Sequence, residues 1–93
     1  MRRLFWSSNA EADLDTITDY IARDDVMAAI GMRDEIERQI ERLREFPLLG
    51  REGRLENTRE LVVAHTPFVV IYTVNDAIWL VRVLHGAQRW PTV

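Results

Sequence analysis

The sequence predicts an α+β fold, with a helical hairpin packed on a mainly antiparallel four-stranded sheet in the order β-α-α-β-β-β. Three observations point there. In the first half, apolar residues recur every three or four positions. After residue 57 the pattern changes to short runs rich in Val, Ile and Leu. Between the two halves, Phe46-Pro47 and a Gly-containing stretch interrupt both patterns. A helix pair and a sheet that each expose one apolar side bury them against one another.

Taking the elements in order, Arg3 to Ser7 is a short apolar stretch that reads as a first strand. Ser8-Asn9-Ala10-Glu11 has the form of a capping box, with the Ser oxygen on a backbone N–H and Glu11 reaching back. Ala10, Leu14, Ile17 and Ile21 then mark one face of a helix that ends near Arg23. Asp24-Asp25 caps a second helix with an apolar stripe of Ala29, Ile36, Ile40 and Leu43, and with Val26 and Met32 nearby. Asp34 and Arg38 are spaced for a stabilising pair, and Gly31 inside the helix suggests close packing against its neighbour. Phe46-Pro47 ends this helix, because a residue before Pro avoids the helical region.

Leu48 to Asn57 reads as a loop carrying Gly50, Gly53 and charges at Arg51, Glu52 and Arg54. Three strands follow: Thr58 to Ala64, Phe68 to Val74 and Ala77 to Leu84, with breaks at Thr66-Pro67 and Asn75-Asp76. Phe68 to Val74 is apolar nearly throughout, which predicts a central strand covered on both faces.

Length and composition bound the function. The 93 residues suit one domain, 1–93, and a chain this short buries about 60–65% of its unfolded surface, so a partner covering apolar surface would stabilise it. No Cys is present, which excludes disulfides, thiol nucleophiles and Cys-ligated zinc and fits a reducing cytoplasm. Basic Met1-Arg2-Arg3 precedes too short an apolar run for a signal peptide, and no stretch reaches the roughly 20 apolar residues of a membrane helix, so no membrane association is expected. Net charge is −3, and every one of the 12 cations is Arg. Residues 1–46 hold seven Arg and eleven acids, whereas residues 47–93 hold five Arg and four acids, so any anion-facing surface belongs to the second half.

Few residues suggest chemistry. Ser7 and Ser8 are the only serines, and Ser8 is taken as a cap, which argues against a Ser nucleophile. His65 and His85 lack a third ligand at useful spacing, so neither a metal nor a cofactor is expected. Gly50-Arg51-Glu52-Gly53 lacks the Lys and the following helix of a phosphate loop. What remains is Arg51, Arg54, Arg59, Arg82, His85 and Arg89 interleaved with Phe68, Tyr72, Trp79 and Trp90, a composition suited to a phosphate backbone or a protein partner. Arg51 and Arg54 read first as solvated loop charges. Arg59 faces away from Glu60 and needs a partner of its own. Arg82 shares a strand face with Ile78, Leu80 and Leu84 and so reads as a partly buried structural ion pair. His85, at the strand end beside Gly86, reads equally as a packed residue or a functional one.

Phe5-Trp6-Ser7, Ala12-Asp13-Leu14, Tyr20-Ile21, Phe46-Pro47, Gly50-Arg51, Thr58-Arg59-Glu60-Leu61, Tyr72 and the block Arg82 to Pro91 together resemble the RelE/ParE superfamily of bacterial toxins, in order along nearly the whole chain. The resemblance implies the toxin of a type II toxin–antitoxin pair, neutralised by an antitoxin whose flexible segment folds onto it. It allows two activities. RelE-type members cut mRNA in the ribosomal A site; ParE-type members trap DNA gyrase and are not enzymes. If the chain is a nuclease, His85 matches a near-C-terminal His of some members, with Arg59 and Arg89 supplying charge. Where nuclease members typically carry Arg three residues before the strand Tyr, this chain has Val69. Metal-free RNA cleavage needs cations on the developing phosphate charge, so Val69 tilts the reading toward ParE-like gyrase inhibition. Arg51, Arg54, Arg89 and Trp90 are then candidates for target contact. The alternative is a ribosome-dependent mRNA endonuclease with His85 as acid or base, and a third reading is a member that has lost toxicity.

Overall fold

In the computed structural model, which describes residues 1–91, the chain runs β1 (Arg3–Trp6), α1 (Ser8–Ala22), α2 (Val26–Glu41), a 3₁₀ turn (Arg42–Arg44), β2 (Arg51–Glu52), β3 (Arg59–Val62), β4 (Phe68–Val74) and β5 (Ala77–His85). The five strands form one sheet in the order β1-β5-β4-β3-β2. β1 pairs with β5 in parallel, and the other pairs are antiparallel. The architecture is the expected α+β one, with one strand more than expected: Arg51–Glu52, inside the stretch read as a loop, pairs with Arg59 and Glu60. Two residues are too few to show a period of two in sequence.

The core lies between the helical hairpin and one face of the sheet. Ala10 and Leu14 of α1 and Ile36 and Ile40 of α2, with Leu43 after it, meet Leu4, Leu61, Val70, Tyr72, Ile78, Leu80 and Val83. β4 is the middle strand, and Val70, Ile71 and Tyr72 are at most 1% exposed, so both of its faces are covered there.

Several local details differ from expectation. The N-cap of α1 is Ser7, not Ser8: its backbone is extended, its Oγ accepts the Ala10 N–H at 3.0 Å, and its hydroxyl donates to the Val81 carbonyl. The cap sits one residue earlier because β1 leads directly into the helix, which places Ser7 against β5. Asp25 caps α2 through the Ala28 N–H. Arg38 pairs with Glu35, at 3.1 and 2.6 Å, rather than with Asp34; the planar guanidinium meets that carboxylate with two donors. Gly31 faces open space, with no atom within 4 Å of a would-be Cβ, so helix–helix contact does not require it. Finally, the β4–β5 register slips between Ile71 and Tyr72: Ile71 lies opposite Arg82 and Tyr72 opposite Leu80. The extra residue, Val81, breaks alternation. The helix-facing core therefore takes Ile78, Leu80 and Val83, and Arg82 does not share their face.

Candidate functional site

The slip in β5 positions Arg82. β1 covers β5 only as far as Leu80, and past that point α1 lies along the open edge. Asp13, one turn into α1, fills the gap. Its carboxylate accepts from Arg82 Nε at 2.7 Å, Arg82 Nη2 at 3.0 Å and the Val83 N–H at 2.9 Å. The pair is partly buried, and the hydrogen bond to Asp13 raises the Arg82 guanidinium above its ordinary range.

Arg51 and Arg54 are not simply solvated. Both are more than half exposed, yet both reach Glu60, whose side chain is 1% exposed. Arg51 Nη2 donates to Glu60 Oε1 at 3.1 Å, and the Arg54 backbone N–H donates to Oε2 at 3.0 Å. Burial pushes the Glu60 carboxyl up, but these two hydrogen bonds and the charges of both arginines outweigh it, and the group titrates below the usual carboxylate range. Arg54 also donates to the Trp90 carbonyl at 3.2 Å, tying the C-terminal segment to the same carboxylate. Sequence reasoning missed Glu60. Its alternation with Arg59 was the available signal, since a carboxylate turned away from Arg59 on an inner strand needs cations from the neighbouring strand.

Arg59 donates to the Gly50 carbonyl at 2.6 Å. Beside it Tyr72, wholly buried, donates to the Pro47 carbonyl and accepts the Gly50 N–H, both at 2.8 Å. Burial raises the Tyr72 hydroxyl above its ordinary range, against the pull of the Gly50 N–H and the Arg59 charge. Gly50 is required here: a Cβ would lie 2.7 Å from the Tyr72 hydroxyl and 2.9 Å from the Glu60 carbonyl.

His85 is exposed at the end of β5, edge-on to Phe68 with ring centroids 5.9 Å apart. Its Nδ1 accepts the Ala87 N–H at 3.0 Å, which assigns the proton of the neutral ring to Nε2. Its outward nitrogen is therefore a donor. His85 and Trp90 line a cavity of only about 10 Å³ together with Val69, Ile71, Leu84, Arg54 and Glu60. The Trp90 Nε1 is buried there without a partner among the described residues. Arg89 is exposed and makes no hydrogen bond or ion pair among the described residues.

Two of the three nuclease candidates, Arg59 and His85, lie apart. Arg59 lies opposite Tyr72 and His85 opposite Phe68, on opposite sides of β4. Four residues of strand separate those levels, about 13 Å. A cleft of about 820 Å³ runs past Leu48, Leu55, Arg59 and Thr73 and includes neither His85 nor Trp90. Among the described residues, no three His, Asp or Glu side chains group closely enough to hold a metal ion. Among the described residues, no helix is long and apolar enough to cross a membrane.

Residues 4–90 match the family described as the ParE toxin of type II toxin–antitoxin systems, parDE. The chain is 37% identical over 92 residues to the putative toxin Y4kP of Sinorhizobium fredii, covering 99% of this chain and 96% of that protein. It is 36% identical over 89 residues to toxin RelE2 of Caulobacter vibrioides, covering 95% of this chain and 99% of that protein. Among solved structures, a chain of the chromosomal ParDE toxin–antitoxin system from P. aeruginosa matches with a TM-score of 0.83 and 27% identity, over 91% of this chain and 96% of that one.

Proposed function

We propose, because the chain belongs to the ParE toxin family of type II toxin–antitoxin systems, that this toxin arrests growth by binding DNA gyrase without itself being an enzyme. In this reading residues 1–93 act as one toxin domain, and a cognate antitoxin neutralises it. Exposed Tyr20, Val26, Met27 and Ile30 on the helices and Phe46, Leu48 and Leu49 after them offer apolar surface for that partner.

The observation that carries the gyrase reading is the wall beside His85. Val69 lies opposite Leu84 there, and two arginines of that region are engaged, Arg54 with Glu60 and Trp90 and Arg82 with Asp13, whereas Arg89, four residues on, makes no ion pair among the described residues. Developing phosphate charge at His85 would meet one imidazole donor, an apolar wall and at most one unengaged arginine, Arg89, fewer than the several cations that phosphoryl chemistry calls on. The surface that remains, with Arg51, Arg54, Arg89 and Trp90 at one end of the sheet, suits contact with a large partner better than catalysis.

The second reading, ribosome-dependent mRNA cleavage, rests on the exposed Nε2 of His85 and on the name of the C. vibrioides relative. The two are separated by assay. Purified toxin should inhibit gyrase supercoiling and leave toeprints on translating ribosomes unchanged. His85→Ala should inhibit gyrase to within a few-fold of wild type. Codon-periodic mRNA cuts that fall by about 10²–10⁴-fold in His85→Ala, the usual worth of a positioned acid or base, would replace the gyrase reading with the nuclease one.

A further inference from the structure

The helical hairpin covers one face of the sheet, with Leu4, Tyr72, Ile78 and Leu80 turned toward it. On the other face Phe5 of β1 lies opposite Trp79 of β5, and Trp79 opposite Thr73 of β4. Phe5 and Trp79 stack, with ring centroids 4.8 Å apart and planes 25° from parallel. Phe5 takes one side of the indole; on the other stands Thr73, whose side chain is short. Trp79 is 47% exposed, so this aromatic pair is open to solvent in the middle of a paired strand. Arg3 lies over the Phe5 ring, its guanidinium carbon 5.1 Å from the centroid. Arg2 and Arg3 are exposed, and neither makes an ion pair among the described residues. Elsewhere on this face Asp13 answers Arg82, and Arg51 with Arg54 outnumbers Glu60. The helix-free side of the strands therefore holds a surplus of cations, although the chain as a whole carries −3.

We propose that the Phe5–Trp79 pair is a stacking platform for an unpaired base of single-stranded DNA, with Arg2 and Arg3 on the adjoining phosphates. The choice of DNA rests on the gyrase reading, in which the target itself works on DNA. The chemistry of the patch selects the occupant. A flat aromatic surface takes a planar group face-on, and two unpaired guanidinium groups beside it take an anion. An apolar peptide would use the rings and leave both arginines unanswered. A free anion would use the arginines and leave the rings idle. A nucleotide supplies a base and a phosphate together. The base must be unpaired, because inside a duplex its faces are already stacked on its neighbours. Aromatic side chains on an open sheet face hold single strands in the same way in other folds. His85 lies six residues further along β5, roughly 20 Å away. A base on Trp79 is therefore held in place, not presented to a proton donor.

The test measures the binding of labelled oligothymidylate to the toxin by fluorescence anisotropy, beside oligouridylate and a DNA duplex of the same length. Trp79→Ala should weaken oligothymidylate binding by about tenfold or more, the worth of one stacked base. Trp79→Phe keeps a ring face and should recover most of that loss. Arg2→Gln with Arg3→Gln should weaken binding and lower the salt slope by about 0.7 for each phosphate contact removed. The duplex should bind at least tenfold more weakly than the single strand. Circular dichroism shows whether each variant is folded, and if Trp79→Ala is not, Trp79→Phe and the arginine variant decide. No binding of oligothymidylate up to about 0.1 mM, the weak end of non-specific nucleic-acid affinity, overturns the platform. So does a Trp79→Ala protein that binds as the wild type does. Oligouridylate bound tenfold more tightly than oligothymidylate overturns the choice of DNA. A supercoiling assay separates this proposal from its premise. Wild type that inhibits gyrase without binding the oligonucleotide leaves the gyrase reading standing and sinks the platform. Wild type that binds the oligonucleotide through Trp79 and leaves gyrase untouched keeps the platform and removes the gyrase reading.

Discussion

Asp13 holds three donors with one carboxylate, and that makes it the side chain on which β5 depends past Leu80. Removing either partner strands the other where water reaches it poorly: Asp13 is 16% exposed and Arg82 29%. Arg82→Ala should destabilise the fold by roughly 1–4 kcal/mol, and Asp13→Ala by at least as much because it also orphans the Val83 N–H. Urea unfolding of the two variants checks this; an Arg82→Ala protein that melts like wild type but loses toxicity would give Arg82 a functional role instead. The strand position of Arg82 was legible in the sequence. Its partner was not, since Asp13 is 69 residues away and meets it only because α1 lies along the edge that β1 leaves open. Glu60 shows the same limit. Arg51 and Arg54 look like loop charges until β2 pairs with β3 and brings both to one buried carboxylate.

At the scale of elements, the helices and the central strand were legible because each carries a long periodic or continuous apolar pattern. β4 has the expected bounds, Phe68–Val74, and α1 ends at the expected place. What stayed hidden was what two or three residues decide: the short β2, the slip at Val81 and the cap at Ser7. The glycines divide along the same line. Gly31 and Gly50 look alike in sequence, yet one faces solvent in α2 and the other lies under Tyr72. Gly31→Ala should stabilise the protein by about 0.5–1 kcal/mol, since Ala favours a helix interior and nothing stands within 4 Å to clash. Gly50→Ala should destabilise it by about 1–3 kcal/mol, because the new methyl meets the Tyr72 hydroxyl and must break its two hydrogen bonds or move the strand. Thermal melts of the pair should shift in opposite directions; equal shifts would mean that the turn at Gly50 yields without cost.

Over the whole molecule, the balance of 15 acids against 12 arginines places the sensitivity to pH on the acid side. Every cation except His65, His85 and the N-terminus is an Arg, so raising the pH above neutral leaves the side-chain cations charged. Lowering it protonates carboxylates, and those held below their ordinary range in the fold matter most. Glu35 is held at about 2 by hydrogen bonds from Arg38 and then Gln39, and Glu60 is also held low. Unfolded, both titrate near the ordinary Glu value of about 4.3. The unfolded chain therefore binds protons first as pH falls, and stability present above about pH 5 is lost progressively below it. Glu35 is over a third exposed and solvent screens its pair, whereas Glu60 is buried beside two arginines, so Glu60 should dominate. The urea midpoint should stay nearly flat from pH 7 to about 5 and then fall steeply. Glu60→Gln should start lower at pH 7 and follow a shallower acid limb, because its amide has no proton to take up. Identical slopes for the two proteins would show that another carboxylate controls the transition. The same titration bears on the toxin's surface. Glu60 joins β2 to β3 and, through Arg54, holds the carbonyl of Trp90. Acid should therefore loosen the Trp90 end of the sheet before it unfolds the helical hairpin, and the indole fluorescence should change at higher pH than the far-ultraviolet circular dichroism.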